Sequence, residues 1–574
     1  MSTQARPRIW ALMLAVVACV GIMATSCGGA STTPPDGQAS GPPGTNANGG
    51  AATGPQITLP NTGTPQVGGK LVYGLEAESD GMDPTKGRWA ISGLMVAYAV
   101  YDPLFAYDSN GVAQPYAAES ATSSADFKTW TVKLRPNMMF HNGTPVNSAA
   151  LKRQIEEFKN STLTGPALRL YTSSDIVDDL TVKMNFSAPW AQFPNILTAQ
   201  GGALVAPAVF DDKVNGNRNP IGSGPFKFKE WKTDDHLSVI RNENYWMKGP
   251  NGEQLPYLSE VTFKPIADAQ ARLNAFAAHD VNMIHDNHPI EIQQLKDLAN
   301  SNPPRAQLYA DPGEKEETFV MFNTQQAPLD DPLLRKALAY ATDVDEYIDV
   351  TQSDKSQKAD GPFEKGTKWY VDTKFPSNDL AKAEDLMKQY KAKHGDGPVT
   401  IKISTTTTTE NQRIVQLFQS QWQRIGVTVN PEAVEQIQLI TEAITGKYES
   451  LLWRQFGAPD PDADWHFWTP QNAQPPGDFA LNFSRFKDDE TQKALDVGRG
   501  TLDFATRKQA YDTVQQRFAD QVPYIWLDHV VWYIAADNSV RGIGSNPWPG
   551  VPNPQPFYTG AHRLTATWLD PSSK

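Results

Sequence analysis

The residues best suited to chemistry in this 574-residue chain form two small polar clusters. In the first, His285 and His288 stand three positions apart beside Asp286, an arrangement that can bind a divalent metal. In the second, residues 460–464 read Asp-Pro-Asp-Ala-Asp, which could hold calcium but lacks the glycine and the closing glutamate of an EF-hand loop. A loop with polar caps is the better interpretation of the first cluster, and a solvated turn is the better interpretation of the second. We therefore predict no metal site and no cofactor.

The sequence also argues against catalysis and against nucleic acid. It contains no HExxH, GxSxG or Walker A pattern, and the Gly-Ser-Gly at 222–224 lacks the spacing of a nucleophile elbow. The net charge is −13, whereas nucleic-acid binding depends on basic patches. We predict that the protein is not an enzyme and has no nucleic-acid partner.

Both cysteines lie within the first 27 positions, in a segment typical of secretion signals. Two arginines precede an apolar run over residues 9–24, shorter than the roughly 20 apolar residues of a membrane-spanning helix. Cys27 follows small residues and precedes two glycines, which resembles the lipobox of bacterial lipoproteins, where the cysteine is acylated. We expect residues 1–26 to be a signal peptide and Cys27 to carry the lipid. Cys19 as the lipid site, or an ordinary secreted protein, are the alternatives.

A low-complexity segment follows the lipidated cysteine. Residues 27–68 consist mostly of Gly, Ser, Thr, Pro, Asn and Ala, a composition that cannot offset the entropy of ordering a chain. We predict a disordered tether with a reach of roughly 30 to 40 Å. The roughly 500 residues beyond it exceed what one hydrophobic core supports, so two or three packed units are expected.

The elements that must position any site alternate between strands and helices. Residues 70–75 and 130–134 show strand patterns, and a helix is predicted from about Ser148, acting as its cap, to Phe158. The same alternation recurs downstream, with strands predicted at 180–186, 317–323, 399–404 and 427–430 and helices at 91–100, 269–278, 332–342 and 410–425. This order predicts an α/β architecture.

Several ordered blocks resemble one protein family. The strongest is Thr129–Pro145, TWTVKLRPNMMFHNGTP, and further blocks occur in family order at 101–104, 117–120, 221–226, 230–231, 241–246, 322–331, 335–341, 425–427 and 521–523. Together they resemble the extracytoplasmic solute-binding proteins of ABC importers in the oligopeptide, dipeptide and nickel-binding family, from about Gly69 to the end of the chain. Each block taken alone could equally reflect core packing or a turn. The blocks do not identify a ligand.

The resemblance implies a bilobed fold of mixed sheets flanked by helices, with an extra inserted domain and a ligand held between lobes that close by a hinge motion. By analogy, lobe I comprises residues 69–107, 221–323 and 525–574. The inserted domain comprises residues 108–220, and lobe II comprises residues 324–524. Ligand binding would favour the closed state that the permease recognises.

The resemblance also suggests where a peptide would bind. Peptide-binding members hold the ligand's amino terminus with an aspartate that follows a tryptophan, but here Ala458 and Gln455 occupy those positions, so Asp460 would have to replace the aspartate. Residues 286–291 resemble the cleft segment of oligopeptide binders, and Arg454 could pair with a carboxylate. The candidate cleft residues are Arg88, Trp89, His285, Asp286, Asn411, Trp453, Arg454, Gln455, Phe456, Ala458, Asp460 and Trp526.

The sequence leaves two functional readings open. The first is a lipid-anchored, monomeric receptor outside the cytoplasm that delivers a small solute, a peptide or modified peptide, to ABC permease subunits. A metal chelate or another non-peptide solute is the alternative ligand. The second reading, motivated by Ala458, is a regulatory or scaffolding envelope lipoprotein that reuses the solute-binding fold.

Overall fold

The computed structural model describes residues 63–545, 548–551 and 553–573. The predicted signal peptide, Cys19, Cys27 and the tether up to residue 62 lie outside the described residues. Within the described ranges, no helix has the length and apolar character needed to cross a membrane.

The helices and strands alternate along the chain. The strands are β1 (Lys70–Leu75), β2 (Phe105–Tyr107), β3 (Ala113–Pro115), β4 (Ala118–Ser123), β5 (Thr129–Leu134), β6 (Tyr171–Asp178), β7 (Thr181–Phe186), β8 (Phe226–Lys232), β9 (His236–Arg241), β10 (Glu260–Pro265), β11 (Met283–Asp286), β12 (Gln307–Ala310), β13 (Glu316–Phe322), β14 (Val399–Thr406), β15 (Val427–Val434), β16 (Ser450–Gln455), β17 (Tyr524–Val530), β18 (Tyr533–Ala536), β19 (Val540–Arg541) and β20 (Trp568–Leu569). The helices are α1 (Ile91–Val100), α2 (Ser148–Asn160), α3 (Pro207–Asp211), α4 (Ala269–Ala277), α5 (Pro289–Ala299), α6 (Pro332–Ala341), α7 (Val344–Thr351), α8 (Leu380–His394), α9 (Thr409–Gln423), α10 (Gln436–Thr445), α11 (Trp465–Trp468), α12 (Asp489–Arg499) and α13 (Phe504–Gln521).

A seven-stranded mixed sheet organises the first lobe. Its strand order is β12-β18-β11-β1-β10-β9-β8, and β1 runs parallel to both β10 and β11. Leu71, Tyr73 and Leu75 of β1 are buried in a core that also holds α1. A central parallel strand is covered on both faces, and β1 fits that rule because Val72 packs against a second apolar cluster on the other face.

A five-stranded mixed sheet organises the second lobe. Its order is β15-β14-β16-β13-β17, and separate apolar clusters cover its two faces. One cluster contains Phe322 and Trp422, while the other contains Phe319 and Trp526. The α/β fold of two lobes built on mixed sheets, predicted from the sequence, is confirmed.

A four-stranded antiparallel sheet, β4-β5-β7-β6, forms the centre of the segment between the two parts of the first lobe. Trp130, Val132 and Leu134 of β5 are buried, whereas Lys133 is exposed, so one face of the sheet meets solvent. Helix α2 packs against this sheet. Its N-cap is Asn147, whose side chain accepts from the backbone N–H of Ala150, rather than Ser148 as predicted.

The strand pairing bears on where the chain crosses between lobes. The predicted division places β13 and nearly all of β17 in lobe I, yet both strands pair within the five-stranded sheet of the second lobe. The crossings therefore lie before Glu316 and after Val530, because β12 and β18 belong to the seven-stranded sheet. The wider division into lobes and inserted domain stays a prediction.

Candidate functional site

The two lobes meet at a charged cluster centred on Arg454 of β16. Its guanidinium lies 3.3 Å from Glu76, which follows β1 of the first lobe, and 3.3 Å from Glu316 at the start of β13. The same guanidinium lies 5.0 Å from the ring centre of Trp532. We call Glu76, His285, Glu316, Arg454 and Trp532 the interlobe cluster.

His285 and Trp532 form the first-lobe wall of this cluster. His285 lies in β11, and its ring centre is 4.9 Å from that of Trp532, with the two rings tilted. Its Nε2 accepts a hydrogen bond of 3.0 Å from the backbone N–H of Glu76. The indole N–H of Trp532 donates to Glu316 at 3.1 Å. Trp532 therefore holds the carboxylate of Glu316, and His285 holds the backbone of Glu76.

A second contact between the lobes lies next to the interlobe cluster. Asp286 is fully buried, pairs with Arg272 at 2.7 Å, and accepts from Nδ1 of His288 at 2.8 Å. Nε2 of His288 lies 3.8 Å from Glu410 in the first turn of α9, which belongs to the second lobe. His288 thus bridges an acid of each lobe.

The charges in the interlobe cluster hold one another ionised to different degrees. Burial alone would raise the pKa of Glu76, but attraction from nearby cations, Arg454 above all, outweighs it and the pKa lies below its ordinary value. Burial dominates at Glu316, so the pKa of that carboxyl is raised although Arg454 opposes the shift. Burial also lowers the pKa of His285 to about 4, and the imidazole is therefore neutral at pH 7.

The residues on either side of Arg454, in β16 and the turn after it, are packed inside the protein. The indole N–H of Trp453 donates to the side-chain oxygen of Gln455 at 2.8 Å, and Phe456 stacks on Phe319 at 5.2 Å. Phe456 has a φ of 70°, which turns the chain sharply after β16. Ala458 is buried in the core of the first lobe, so this turn brings the two lobes into direct contact.

The acidic loop, residues 460–464, is buried and held by ion pairs, so the prediction of a solvated turn is wrong. Asp460 is fully buried, pairs with Arg507 of α13, and its side chain accepts from the backbone N–H of Asp462. Asp462 pairs with Arg499 at 2.6 Å and accepts from the indole N–H of Trp190 at 2.9 Å. One carboxylate oxygen of Asp460 has no hydrogen-bond partner among the described residues. Its use as an amine anchor stays a prediction.

The remaining sequence candidates occupy varied environments. Arg88 binds Asp80, the indole N–H of Trp89 donates to the Gly81 carbonyl, and Trp526 lies in an aromatic core. The side-chain amide of Asn411, next to Glu410, donates to Thr406 at 2.6 Å. The structure brings His285 and Arg454 together, with Asp286 adjacent, while solute contact by any candidate stays a prediction.

Sequence reasoning missed the carboxylates of the interlobe cluster and their neighbours. Glu316 and Glu317 begin a strand whose next residues are apolar, and an acidic pair at the end of a buried strand is the signal that could have identified them. Burial and repulsion from Asp464, Glu314 and Glu316 raise the pKa of Glu317 well above its ordinary value. One oxygen of Glu317 has no hydrogen-bond partner in the described part of the chain.

The residues described above include no paired nucleophile and base. Across residues 63–545, 548–551 and 553–573, no three His, Cys, Asp or Glu side chains converge as a metal site. In the interlobe cluster, Arg454 forms ion pairs with an acid of each lobe.

Comparison with known proteins agrees with this geometry. Residues 112–476 match the middle region of the bacterial extracellular solute-binding proteins, family 5. A glutathione-binding protein from Pectobacterium atrosepticum is 28% identical over 459 residues, covering 78% of this chain and 86% of the relative.

Solved structures show the same fold. The periplasmic binding protein AgaA from A. tumefaciens, in complex with agropinic acid, superposes with a TM-score of 0.75 at 25% identity, over 88% of this chain and 99% of the other. The binding protein DppA from Helicobacter pylori, in complex with the peptide STSA, gives a TM-score of 0.76 at 23% identity with the same coverage. The family match spans more than half of the sequence, and the chain belongs to family 5 of the bacterial extracellular solute-binding proteins.

Proposed function

We propose that the protein is a lipid-anchored receptor outside the cytoplasm that delivers a peptide or modified peptide to an ABC importer. The ion pair between Glu76 and Arg454 carries the proposal, because it joins the two lobes and can form only while they are together. A solute bound between the lobes would add to that preference for closure. Membership of the solute-binding family supports the same conclusion.

The acids beside the interlobe cluster support a solute with an amino group. The peptide amine anchor of the family is replaced here by Ala458, yet Glu317 keeps an unpartnered oxygen amid repulsion from Glu314, Glu316 and Asp464. A ligand ammonium at this point would relieve the repulsion and satisfy the oxygen. The similarity to a glutathione-binding protein and to a peptide complex supports the same class of solute.

Native mass spectrometry of the full-length protein, released from detergent micelles, tests the proposal. A bound peptide or modified peptide is the expected result, followed by isothermal titration with glutathione and the peptide Ser-Thr-Ser-Ala. A bound metal chelate would instead support the alternative ligand. An empty protein whose melting temperature no solute pool raises would contradict the receptor and favour an envelope scaffold, since a bound ligand stabilises the native state.

The lipid anchor is tested separately from solute binding. Replacing Cys27 by Ser should release or misprocess the protein, because stable retention on a membrane depends on the attached acyl chains. Solute binding should be unchanged, since the interlobe cluster lies in the folded region. Cys19→Ser is the matched control, and loss of anchoring in that variant instead would reassign the lipid site.

A further inference from the structure

A small, partly open cavity lies in the first lobe, between α1, β2 and the C-terminal segment. Tyr98, Tyr107, Trp548 and Phe557 contribute aromatic side chains to its wall. Its lining combines apolar and polar groups, as the lining of small-molecule pockets does. It therefore suits one end of a solute rather than a large ligand.

Arg563 supplies the cationic group of this cavity. Its guanidinium lies 4.2 Å from the ring centre of Tyr98 and 4.6 Å from that of Tyr116, and the residue is only 6% exposed. Among the described residues, no carboxylate lies within ion-pair distance of it. Asp102 is the acid that faces Arg563 at longer range, and its carboxylate already accepts hydrogen bonds from Ser223, Tyr245 and Trp246.

The energetic position of Arg563 is unusual. A buried charge without a hydrogen-bonded partner is costly, and native proteins rarely retain one without a use. The two tyrosine rings hold the planar guanidinium in one orientation, which leaves its N–H donors free to meet a planar acceptor. A carboxylate matches that fork with two parallel hydrogen bonds.

The cavity adjoins the interlobe cluster. His562, which lines the cavity, bonds through Nε2 to the Tyr73 hydroxyl at 3.1 Å, and the Tyr73 ring contacts His285 edge-on at 6.2 Å. The same C-terminal segment places Gly560 against Trp532, where an added Cβ would lie 2.6 Å from the indole. Buried, packed side chains thus connect the wall of the cavity to the interlobe cluster.

We propose that this cavity is an anion subsite in which the Arg563 guanidinium binds a carboxylate of the solute. The inference rests on the proposed function and adds the requirement that the solute carry an acidic group. Arg563, which would bind that group, is far in the sequence from Glu316 and Glu317. Solutes with an amino group at one end and a free carboxylate at the other would use both regions.

Isothermal titration of the full-length protein in detergent tests the subsite with paired probes. Glutathione and Ser-Thr-Ser-Ala are compared with the same compounds carrying a carboxamide at the C-terminus. The acids should bind roughly 10- to 100-fold more tightly than the amides, the range expected for a charge-assisted pair. In Arg563→Met, which keeps the stem between the tyrosine rings, this preference should disappear, and in Arg563→Lys it should be partly retained.

Arg135→Met is the matched control, because it removes a guanidinium that lies 5.4 Å from the Trp246 ring and already donates to the Tyr116 carbonyl at 2.6 Å. Its acid preference should equal that of the wild type. Equal affinity for acids and amides in the wild type, or an unchanged preference in Arg563→Met, overturns the subsite. The wild-type comparison remains decisive if Arg563→Met does not fold.

A separate arm distinguishes failure of the subsite from failure of the proposed function. If no peptide binds the wild type, the peptide proposal fails, and the subsite is then measured by melting temperature with succinate, inorganic phosphate or chloride at equal ionic strength. A rise with succinate that is absent in Arg563→Met supports a carboxylate subsite. No specific rise, or a rise at lower phosphate than succinate concentration, overturns it.

Discussion

Two groups of ion pairs in this protein are built from the same residue types but have different roles. In the interlobe cluster, Arg454 pairs with Glu76 of the first lobe and Glu316 of the second. In the acidic loop, Asp460 pairs with Arg507 inside the second lobe. Arg454 keeps about a third of its side chain exposed, whereas Arg507 and Asp460 are fully buried.

This difference in burial distinguishes two roles: ion pairs that attach one part of the folded protein to another, and ion pairs that form when the lobes close. A fully buried pair cannot exchange its partner for water without local unfolding, so removal of one member leaves an uncompensated charge. The Glu76–Arg454 pair can separate when the lobes move apart, and water then solvates both groups. The acidic loop therefore belongs to the stability of the protein, and the interlobe cluster belongs to the equilibrium between its open and closed states.

The largest effect is expected from breaking the buried ion pair between Asp460 and Arg507. Arg507→Met should lower the free energy of unfolding by about 3 to 5 kcal/mol, because Asp460 remains buried without its cation. Denaturant unfolding followed by tryptophan fluorescence measures the change. Lys508→Met is the control: Lys508 pairs with Asp512 on the partly exposed face of the same helix, so it should cost less than about 0.5 kcal/mol. Equal effects of the two substitutions would contradict the distinction.

A second substitution tests whether the acidic loop also holds the inserted domain. The Arg499 guanidinium lies between the rings of Trp190 and Trp465, at 4.4 and 4.0 Å, and pairs with Asp462. Arg499→Met should cost about 2 to 4 kcal/mol, through the lost pair and cation–π contacts. Hydrogen exchange should increase in the loop and around Trp190. Exchange confined to α12 would show that the inserted domain is held elsewhere.

The fold was largely accessible from the sequence because its signals are local. The patterns of β1 and α1 predicted their bounds, and the ordered blocks indicated the family. The lobe crossings were less accessible, because β13 and β17 carry apolar runs that fit either sheet. Only the long-range pairing of β13 with β16 assigns them to the second lobe.

The candidate site was harder to predict because it combines distant segments. His285 and Arg454 were candidates in the sequence, but Glu76, Glu316 and Trp532 had no local pattern that linked them to either residue. For the Asp460 carboxylate the local pattern was visible in the sequence, but it fits two different environments. An exposed turn and a buried ion pair have the same local sequence, and only the position of Arg507, 47 residues later, distinguishes them.

A third prediction addresses closure directly. Arg454→Met should weaken solute binding about tenfold, equivalent to roughly 1.4 kcal/mol, because the closed state loses its contact with Glu76. The free energy of unfolding should change by less than about 1 kcal/mol, since Glu316 can take up a proton once the cation is absent. Small-angle scattering of the unliganded variant should show a larger radius of gyration.

The matched measurement for closure is a double-mutant cycle. Glu76→Gln should reproduce the weaker binding of Arg454→Met, and the double variant should bind no worse than either single variant, since all three remove the same pair. Additive losses would mean that Arg454 contacts the solute itself. In that case the acidic loop would stabilise the fold and Arg454 would recognise the solute, and the Glu76–Arg454 pair would not be what favours closure.

The smallest expected effect is the pH dependence of the second interlobe contact. Burial alone would lower the pKa of His288, but Asp286, Glu410 and Glu76 outweigh it and raise the pKa above 6.5. The carboxyl of Glu291 also faces this imidazole. A raised folded pKa contributes stability that is complete below pH 6.5 and is lost as the pH rises through the folded value.

Glu410→Gln isolates the contribution across the lobes, because it leaves the 2.8 Å bond between His288 and Asp286 in place. The substitution should cost less than about 1 kcal/mol at pH 6, and this cost should fall as the pH is raised from 6 towards 8.5, because the imidazole loses its charge as the pH passes its folded pKa. Melting temperatures of both proteins across this range measure the difference. A cost that does not depend on pH would mean that Glu410 acts through α9 alone, and the contact across the lobes would then be Glu76–Arg454 without help from His288.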